Sequence, residues 1–100
     1  MAKREVIWTT VSEIQLQEIL EFFIKRNKSS QYSRKLYRKI KAELKTAAKN
    51  PEIGVRTKLD LIRGLIIEEY IIFYEIFEDK ILILKVWDCG QNTDILNIPR

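Results

Sequence analysis

The segment YIIFYEIFEDKILILKVW, residues 70–87, constrains the fold of this chain more than any other feature of the sequence. Its two apolar runs are rich in β-branched and aromatic residues, and a short acidic turn separates them, which is typical of an antiparallel strand pair. Successive side chains of a strand point to opposite faces of a sheet, and both alternating sets are mostly apolar here. The chain must therefore cover both faces of this pair or leave one face for a partner.

Alternation predicts which side chains of the two strands share a face. In the first strand Tyr70, Ile72, Tyr74 and Ile76 alternate with Ile71, Phe73, Glu75 and Phe77. In the second strand Leu82, Leu84 and Val86 alternate with Ile81, Ile83, Lys85 and Trp87. Tyr74 is predicted to be a core tyrosine with a bonded hydroxyl, whereas Tyr70, beside a turn, is predicted to be exposed.

Two helices are predicted after a first strand, EVIW at residues 5–8. The first covers about residues 11–26 and starts with a capping box of Thr10 and Glu13. The second begins after Ser29 or Ser30 and ends at Asn50-Pro51, because the residue before proline disfavours a helical conformation. The predicted apolar faces comprise Leu16, Ile19, Leu20 and Phe23 in the first helix and Leu36, Tyr37, Ile40, Leu44, Ala47 and Ala48 in the second.

The remaining strands complete one small sheet. VRTK (55–58) is predicted to be a loop, LDLIRGLII (59–67) a strand broken or bulged near Gly64, and Glu68-Glu69 a two-residue turn. The order β-α-α-β-β-β predicts a single α+β domain over residues 1–100, with a helical hairpin packed on one face of a small, mostly antiparallel twisted sheet. The second face should then stay partly open for a partner or a second copy. The alternative is coverage by the C-terminal TDILNIPR.

The absence of histidine and the single cysteine, Cys89, exclude many kinds of site. The usual zinc sites and His-based catalytic triads cannot be built, and no metal or cofactor is expected. One cysteine fits the reducing cytoplasm, and with no histidine to activate it, its thiol is predicted to be a half-buried bystander. No apolar run is long enough to cross a bilayer, and MAKREVIWTT does not read as a secretory leader.

The net charge of +4 hides a strong asymmetry along the chain. Residues 25–49 contain ten of the eighteen Lys and Arg residues and one acid, Glu43, whereas residues 68–79 contain five acids and no base. Such polarity suits a polyanionic partner. The predicted contacts with nucleic acid or the ribosome are Arg34, Lys35, Arg38, Lys41 and Lys45. The alternatives are contact with an acidic segment of a protein partner and a solvated helix face.

Taken together, the segments of this chain resemble those of the RelE/ParE family, the small bacterial toxins of type II toxin–antitoxin (plasmid stabilisation) modules. The matching pieces are Trp8 followed by the first helix, the long basic second helix, NPEIG, RGLIIEEYIIFYEIFEDKILILKVWD, and the closing WDCGQN. The resemblance implies a cytoplasmic toxin that a cognate antitoxin neutralises and whose target is translation, at the mRNA and ribosome, or DNA gyrase. It also allows a homodimer when the toxin is free.

RNA-cleaving members of the family place cations around the phosphate and use a tyrosine, histidine or glutamate to move protons. The matching candidates for catalysis are Arg56, Lys58, Arg63, Tyr70 and Lys85. Two positions that often carry cations or histidine in cleaving members hold Ile71 and Cys89-Gly90 here. This favours gyrase inhibition, or an attenuated toxin, over an mRNA interferase activity. The candidates for antitoxin contact are Ile71, Phe73, Ile83 and Trp87.

A different class of function is a non-toxic, small basic nucleic-acid-binding module. It predicts salt-dependent binding of bare RNA or DNA through residues 34–49. No aromatic stacking motif accompanies these basic residues, so the toxin hypothesis is preferred.

Overall fold

Two helices cover one face of a five-stranded sheet in the computed structural model, which describes residues 4–89. The elements are β1 (Glu5–Trp8), α1 (Thr10–Asn27), α2 (Gln31–Lys49), a 3-10 turn at Pro51–Ile53, β2 (Val55–Arg56), β3 (Ile62–Ile67), β4 (Tyr70–Ile76) and β5 (Lys80–Asp88). The strand order is β1-β5-β4-β3-β2, and every neighbouring pair is antiparallel except β1 with β5. The predicted α+β fold, with a helical hairpin on a mostly antiparallel sheet, is confirmed.

The start of α1 differs from the predicted capping box. Thr9, which keeps an extended backbone, is the N-cap: its hydroxyl accepts a hydrogen bond from the Ser12 N–H at 3.2 Å. The same hydroxyl donates to the Ile83 carbonyl at 2.8 Å. Thr10 is already helical, so the Thr10–Glu13 box is wrong. The cap lies one residue earlier than predicted because the Thr9 hydroxyl can form hydrogen bonds with both the first turn of α1 and β5.

The chain between α2 and β4 also differs in detail from the prediction. Val55–Arg56 forms a short strand instead of a loop, because it pairs with residues 63 and 64 of β3. Gly64 lies in regular register with Phe73, so the predicted break is wrong. A Cβ at Gly64 would lie 2.9 Å from Ile71 Cγ2 and 3.2 Å from a Phe73 ring carbon. The glycine is therefore explained by two side chains that close over it, not by a bulge.

The one irregularity recorded between described strands lies in the β4–β5 pair. Phe73 pairs with Lys85 but Tyr74 pairs with Ile83, so Leu84 is an extra residue in β5. This bulge shifts the alternation of β5 by one residue. Ile83 consequently joins Ile81 and Val86 on the helix-covered face, fully buried, and the prediction that it shares a face with Trp87 is wrong.

The core lies between the helical hairpin and the sheet. It comprises Leu16, Leu36, Ile40, Leu44, Ala47, Ala48, Leu65, Ile67, Tyr70, Ile72, Tyr74, Ile81, Ile83 and Val86. The predicted apolar face of α2 is confirmed except for Tyr37, which is exposed. Glu68-Glu69 forms the predicted two-residue turn, and Glu68 takes a left-handed backbone (φ 54°) there without the help of a glycine.

Candidate functional site

The sheet face away from the helices, which we call the open face, is apolar along its centre. Ile66, Ile71, Phe73 and Trp87 lie on it in adjacent register positions of β3, β4 and β5. Ile71 is 6% exposed, Phe73 and Trp87 are half-buried, and Ile66 is 55% exposed. The missing side chain of Gly64 lets Ile71 and Phe73 pack closely. Three of the four antitoxin candidates therefore share one face, and the fourth, Ile83, does not.

Lys85 gives the open face a cationic border. It is exposed, and its Nζ lies 4.5 Å from the centroid of the Trp87 ring, within cation–π distance. The Trp87 Nε1 atom is buried and has no hydrogen-bond partner among the described residues. The open face thus combines apolar area with the positive charge of Lys85, and Glu75, two residues after Phe73 in β4, adds a carboxylate to the same face.

Arg63, a predicted phosphate-binding residue, supports the fold. It pairs with Tyr74, so its side chain lies on the opposite side of the sheet from Lys85. Its Nη1 donates to the Glu52 and Gly54 carbonyl oxygens at 3.1 and 3.0 Å. These bonds hold the 3-10 turn against the sheet and occupy Nη1, while the buried Nε has no hydrogen-bond partner among the described residues.

Tyr70, the predicted proton donor, is buried. Tyr70 is only 5% exposed, so the prediction that it would be the accessible tyrosine is wrong. It lines a cavity of about 350 Å³ with Gln15, Val86 and Asp88. Burial, with the charge of Asp88 second, raises the pKa of Tyr70 to about 12. The phenol therefore stays protonated near neutral pH, which leaves it a donor role only, and it lies on the face of the sheet opposite to Lys85.

The five catalytic candidates do not converge on one site, although Arg56 and Arg63 are direct cross-strand partners in β2 and β3. Arg56 and Lys58 are exposed in and after β2, and Arg63 and Tyr70 lie on the helix-covered side. Tyr70 is four strand residues from Tyr74, the cross-strand partner of Arg63, which is about 13 Å. Lys85 is on the other face. A scissile phosphate needs its cations and proton donor within hydrogen-bond reach, and this arrangement does not provide that.

The end of β5 offers no activated thiol. Cys89 is half-buried, as predicted, and its N–H donates to the Glu69 carbonyl at 2.8 Å. Burial raises the pKa of the Cys89 thiol, and the charges of Asp88 and Glu69 raise it further, so the thiolate is disfavoured. Gly90 and the TDILNIPR segment lie outside the described residues.

The basic candidates of α2 all lie at the surface. Arg34, Lys35, Arg38, Lys41 and Lys45 are exposed. Lys41 Nζ lies 5.5 Å from the centroid of the Tyr37 ring. Lys39, also exposed, forms an ion pair with Glu68 at 3.4 Å. The second helix therefore presents its cations outward and its apolar side to the sheet.

One cleft was missed from the sequence. It has a volume of about 490 Å³, lies between β1, α1 and α2, and is lined by Trp8, Glu13, Ile14, Leu16, Gln17, Leu20, Tyr37 and Lys41. The available signal was that Val11 and Ile14 are apolar although they fall outside the core-facing stripe of α1. An apolar residue on the outer side of an amphipathic helix often marks a contact surface.

Residues 4–89 contain no group of three or more acidic, Cys or His side chains that could hold a metal ion. Nor does that part of the chain include a helix long and apolar enough to cross a membrane.

A family model described as the ParE toxin of the type II toxin–antitoxin system parDE matches residues 6–93. The chain belongs to the ParE toxin family. The resemblance found in the sequence is thereby confirmed, and with it the association with type II toxin–antitoxin systems.

Solved structures agree with the ParE-type fold. A chain from the chromosomal ParDE TA system from P. aeruginosa superposes with a TM-score of 0.71 at 16% sequence identity, over 86% of this chain and 96% of that chain. At this level of identity the similarity establishes the fold. Comparison with curated proteins gave no significant match.

Proposed function

We propose that this ParE-family chain is the toxin of a type II toxin–antitoxin module and stops growth by binding DNA gyrase, without cleaving RNA. The observation that supports this choice is the dispersal of the catalytic candidates. Arg63 is bonded to backbone carbonyls, Tyr70 is buried and protonated, and Lys85 is on the opposite face. Inhibition by binding needs a surface and no reacting groups, which is what these residues leave available.

The proposed neutralising partner is a cognate antitoxin that covers the open face. Family membership supports an antitoxin partner, and no described helix packs on this face. An apolar face bordered by Lys85 suits a segment with apolar anchors and acidic flanks, added as a strand or a helix. The proposed contacts are Ile66, Ile71, Phe73 and Trp87. Both partners and the target would meet in the cytoplasm.

The choice of target is tested by inducing the chain in cells without its gene neighbour. We expect growth arrest with intact mRNA in primer extension, and inhibition of supercoiling by purified gyrase. Tyr70→Phe and Lys58→Gln should leave the arrest unchanged because neither side chain takes part in a reaction. Discrete mRNA cuts that disappear in either variant would refute the proposal in favour of a ribonuclease. Expression without any arrest would favour the non-toxic nucleic-acid-binding alternative.

The antitoxin surface is tested with two isoleucines of equal exposure on opposite sides of the molecule. Ile66 on the open face is 55% exposed, and Ile14 in the helical cleft is 53% exposed. Ile66→Glu should weaken co-purification with the neighbouring gene product at least tenfold, because it buries a charge in the proposed interface. Ile14→Glu should not. The reverse pattern would place the antitoxin in the cleft between β1, α1 and α2.

A further inference from the structure

The cations on the outer side of α2 form a continuous stripe. Its members are Arg34, Lys35, Arg38, Lys41, Lys45 and Lys49, all of them exposed. At 3.6 residues per turn these six positions fall within about one third of the helix circumference, and they extend over roughly 22 Å of its length. We call this set the basic stripe.

The basic stripe lacks the ion pairs that usually accompany surface lysines and arginines. The ion pairs found among residues 4–89 are Lys39 with Glu68 and Lys80 with Asp79, and neither includes a member of the stripe. The one acid of α2, Glu43, lies outside the arc of the stripe. Arg34 and Arg38, like Lys41 and Lys45, are like charges four residues apart, a spacing that disfavours the free helix. Binding of a polyanion would neutralise these charges and relieve the repulsion between them.

We propose that the basic stripe binds the phosphate backbone of duplex DNA. The exposed apolar side chain within the arc is the small one of Ala42, and Tyr37 lies just outside the arc, next to Lys41. A bound protein segment normally requires apolar anchors at the centre of its interface, whereas interfaces with DNA are polar and strongly positive.

The geometry favours a duplex over a single strand, and DNA over RNA. Single-strand binding relies on aromatic side chains that stack with bases, and the stripe has none. A helix is about 10–12 Å across with its side chains, which matches the roughly 12 Å major groove of B-DNA between two rows of phosphates. The major groove of A-form RNA is too narrow for such a helix. The inference does not depend on gyrase as the target, since bare DNA is the ligand.

The test is fluorescence anisotropy of the purified chain with a short labelled DNA duplex of mixed sequence. Each neutralised phosphate contributes about −0.9 to the slope of log affinity against log salt. Arg38→Gln/Lys45→Gln should therefore make the slope shallower by about 2. Both side chains are exposed and form no ion pair within residues 4–89, so far-ultraviolet circular dichroism should report an unchanged fold.

A matched control removes two positive charges elsewhere. Arg56 and Lys58 are exposed and lie outside α2, and Arg56→Gln/Lys58→Gln should change the slope by less than half as much. Equal losses in the two double variants would overturn the proposal, because net charge alone would then explain binding. So would absence of binding at about 50 mM salt, or equal affinity for duplex RNA. Displacement of the DNA by polyglutamate at matched charge would assign the stripe to an acidic protein instead.

Discussion

The hydroxyl of Tyr74 joins the end of α2 to the centre of the sheet. It donates to the Pro51 carbonyl at 2.6 Å and accepts from the Gly54 N–H at 3.2 Å, and the side chain has no exposed surface. A Cβ at Gly54 would lie 2.5 Å from this hydroxyl, so the glycine is required for the close approach. One phenol thus satisfies both ends of the 3-10 turn that connects the helices to β2.

Tyr74→Phe should destabilise the protein by about 1–3 kcal/mol, because it leaves a buried carbonyl and a buried N–H without partners. Urea unfolding followed by circular dichroism measures this change. Tyr37→Phe is the matched control at an exposed site and should cost less than about 0.5 kcal/mol. Equal effects of the two substitutions would contradict the role given to the Tyr74 hydroxyl.

The raised pKa of Tyr70 predicts how the free energy of unfolding depends on pH. Its pKa is raised from 10.0 to about 12, mainly by burial and next by Asp88. Above pH 10 the unfolded chain loses the phenolic proton while the folded chain keeps it, so the free energy of unfolding should fall between about pH 10 and pH 12. Tyr70→Phe should show a smaller fall, measured as the urea midpoint across this range. An identical pH profile in the variant would show that Tyr70 titrates normally.

At the scale of elements, the bulge in β5 decides which residues meet the helices. Strict alternation along ILILKVW would put Ile83 and Trp87 on the same face of the sheet. The extra residue Leu84 puts them on opposite faces. Nothing in the local sequence marks the bulge, since Leu84 is an ordinary strand residue and the pairing of β4 with β5 sets its position. The bounds of β4 and β5 were predictable to within one residue, but the strand at Val55–Arg56 and the face of Ile83 were not.

Ile83→Ala should therefore destabilise the protein by about 2–5 kcal/mol, as expected for a cavity in a packed core. Ile66→Ala, on the open face, should cost less than about 1 kcal/mol because the side chain is largely in solvent. Chemical denaturation of both variants gives the comparison. A larger cost for Ile66 than for Ile83 would contradict the register of β4 and β5.

The helices were predictable because their sequence signals are local. The roles of the catalytic candidates were not predictable in this way. The serines before α2, the proline after it and the apolar spacing within it predicted the bounds of this helix almost to the residue. The roles of Arg63 and Tyr70 depend instead on contacts between distant segments, the 3-10 turn for the arginine and the cavity beside α1 for the tyrosine. Sequence spacing can propose that such residues converge, but the sheet register determines whether they do.

For the whole molecule, strand order predicts a gradient of stability. β4 is the central strand and pairs along its full length on both sides, whereas β1 and β2 lie at the two edges. Amide hydrogen exchange should be slowest in β4 and in the buried second half of α2, and faster in β1 and β2. Equal protection of β1 and β4 in the free protein would instead indicate that a second copy pairs with the β1 edge.

The parallel pairing of β1 with β5 has a consequence for the order of events during synthesis. Glu5 pairs with Lys80, so the first described strand has no partner until the last one has been made. β5 also lies between β1 and β4 and supplies Ile81, Ile83 and Val86 to the core. A nascent chain that stops before β5 can pair β2, β3 and β4 only, so β1 has no partner and the part of the core that β5 supplies stays open. The open face, which includes Lys85 and Trp87, is therefore complete only after β5 has been made, and a partner synthesised earlier would already be present when it forms.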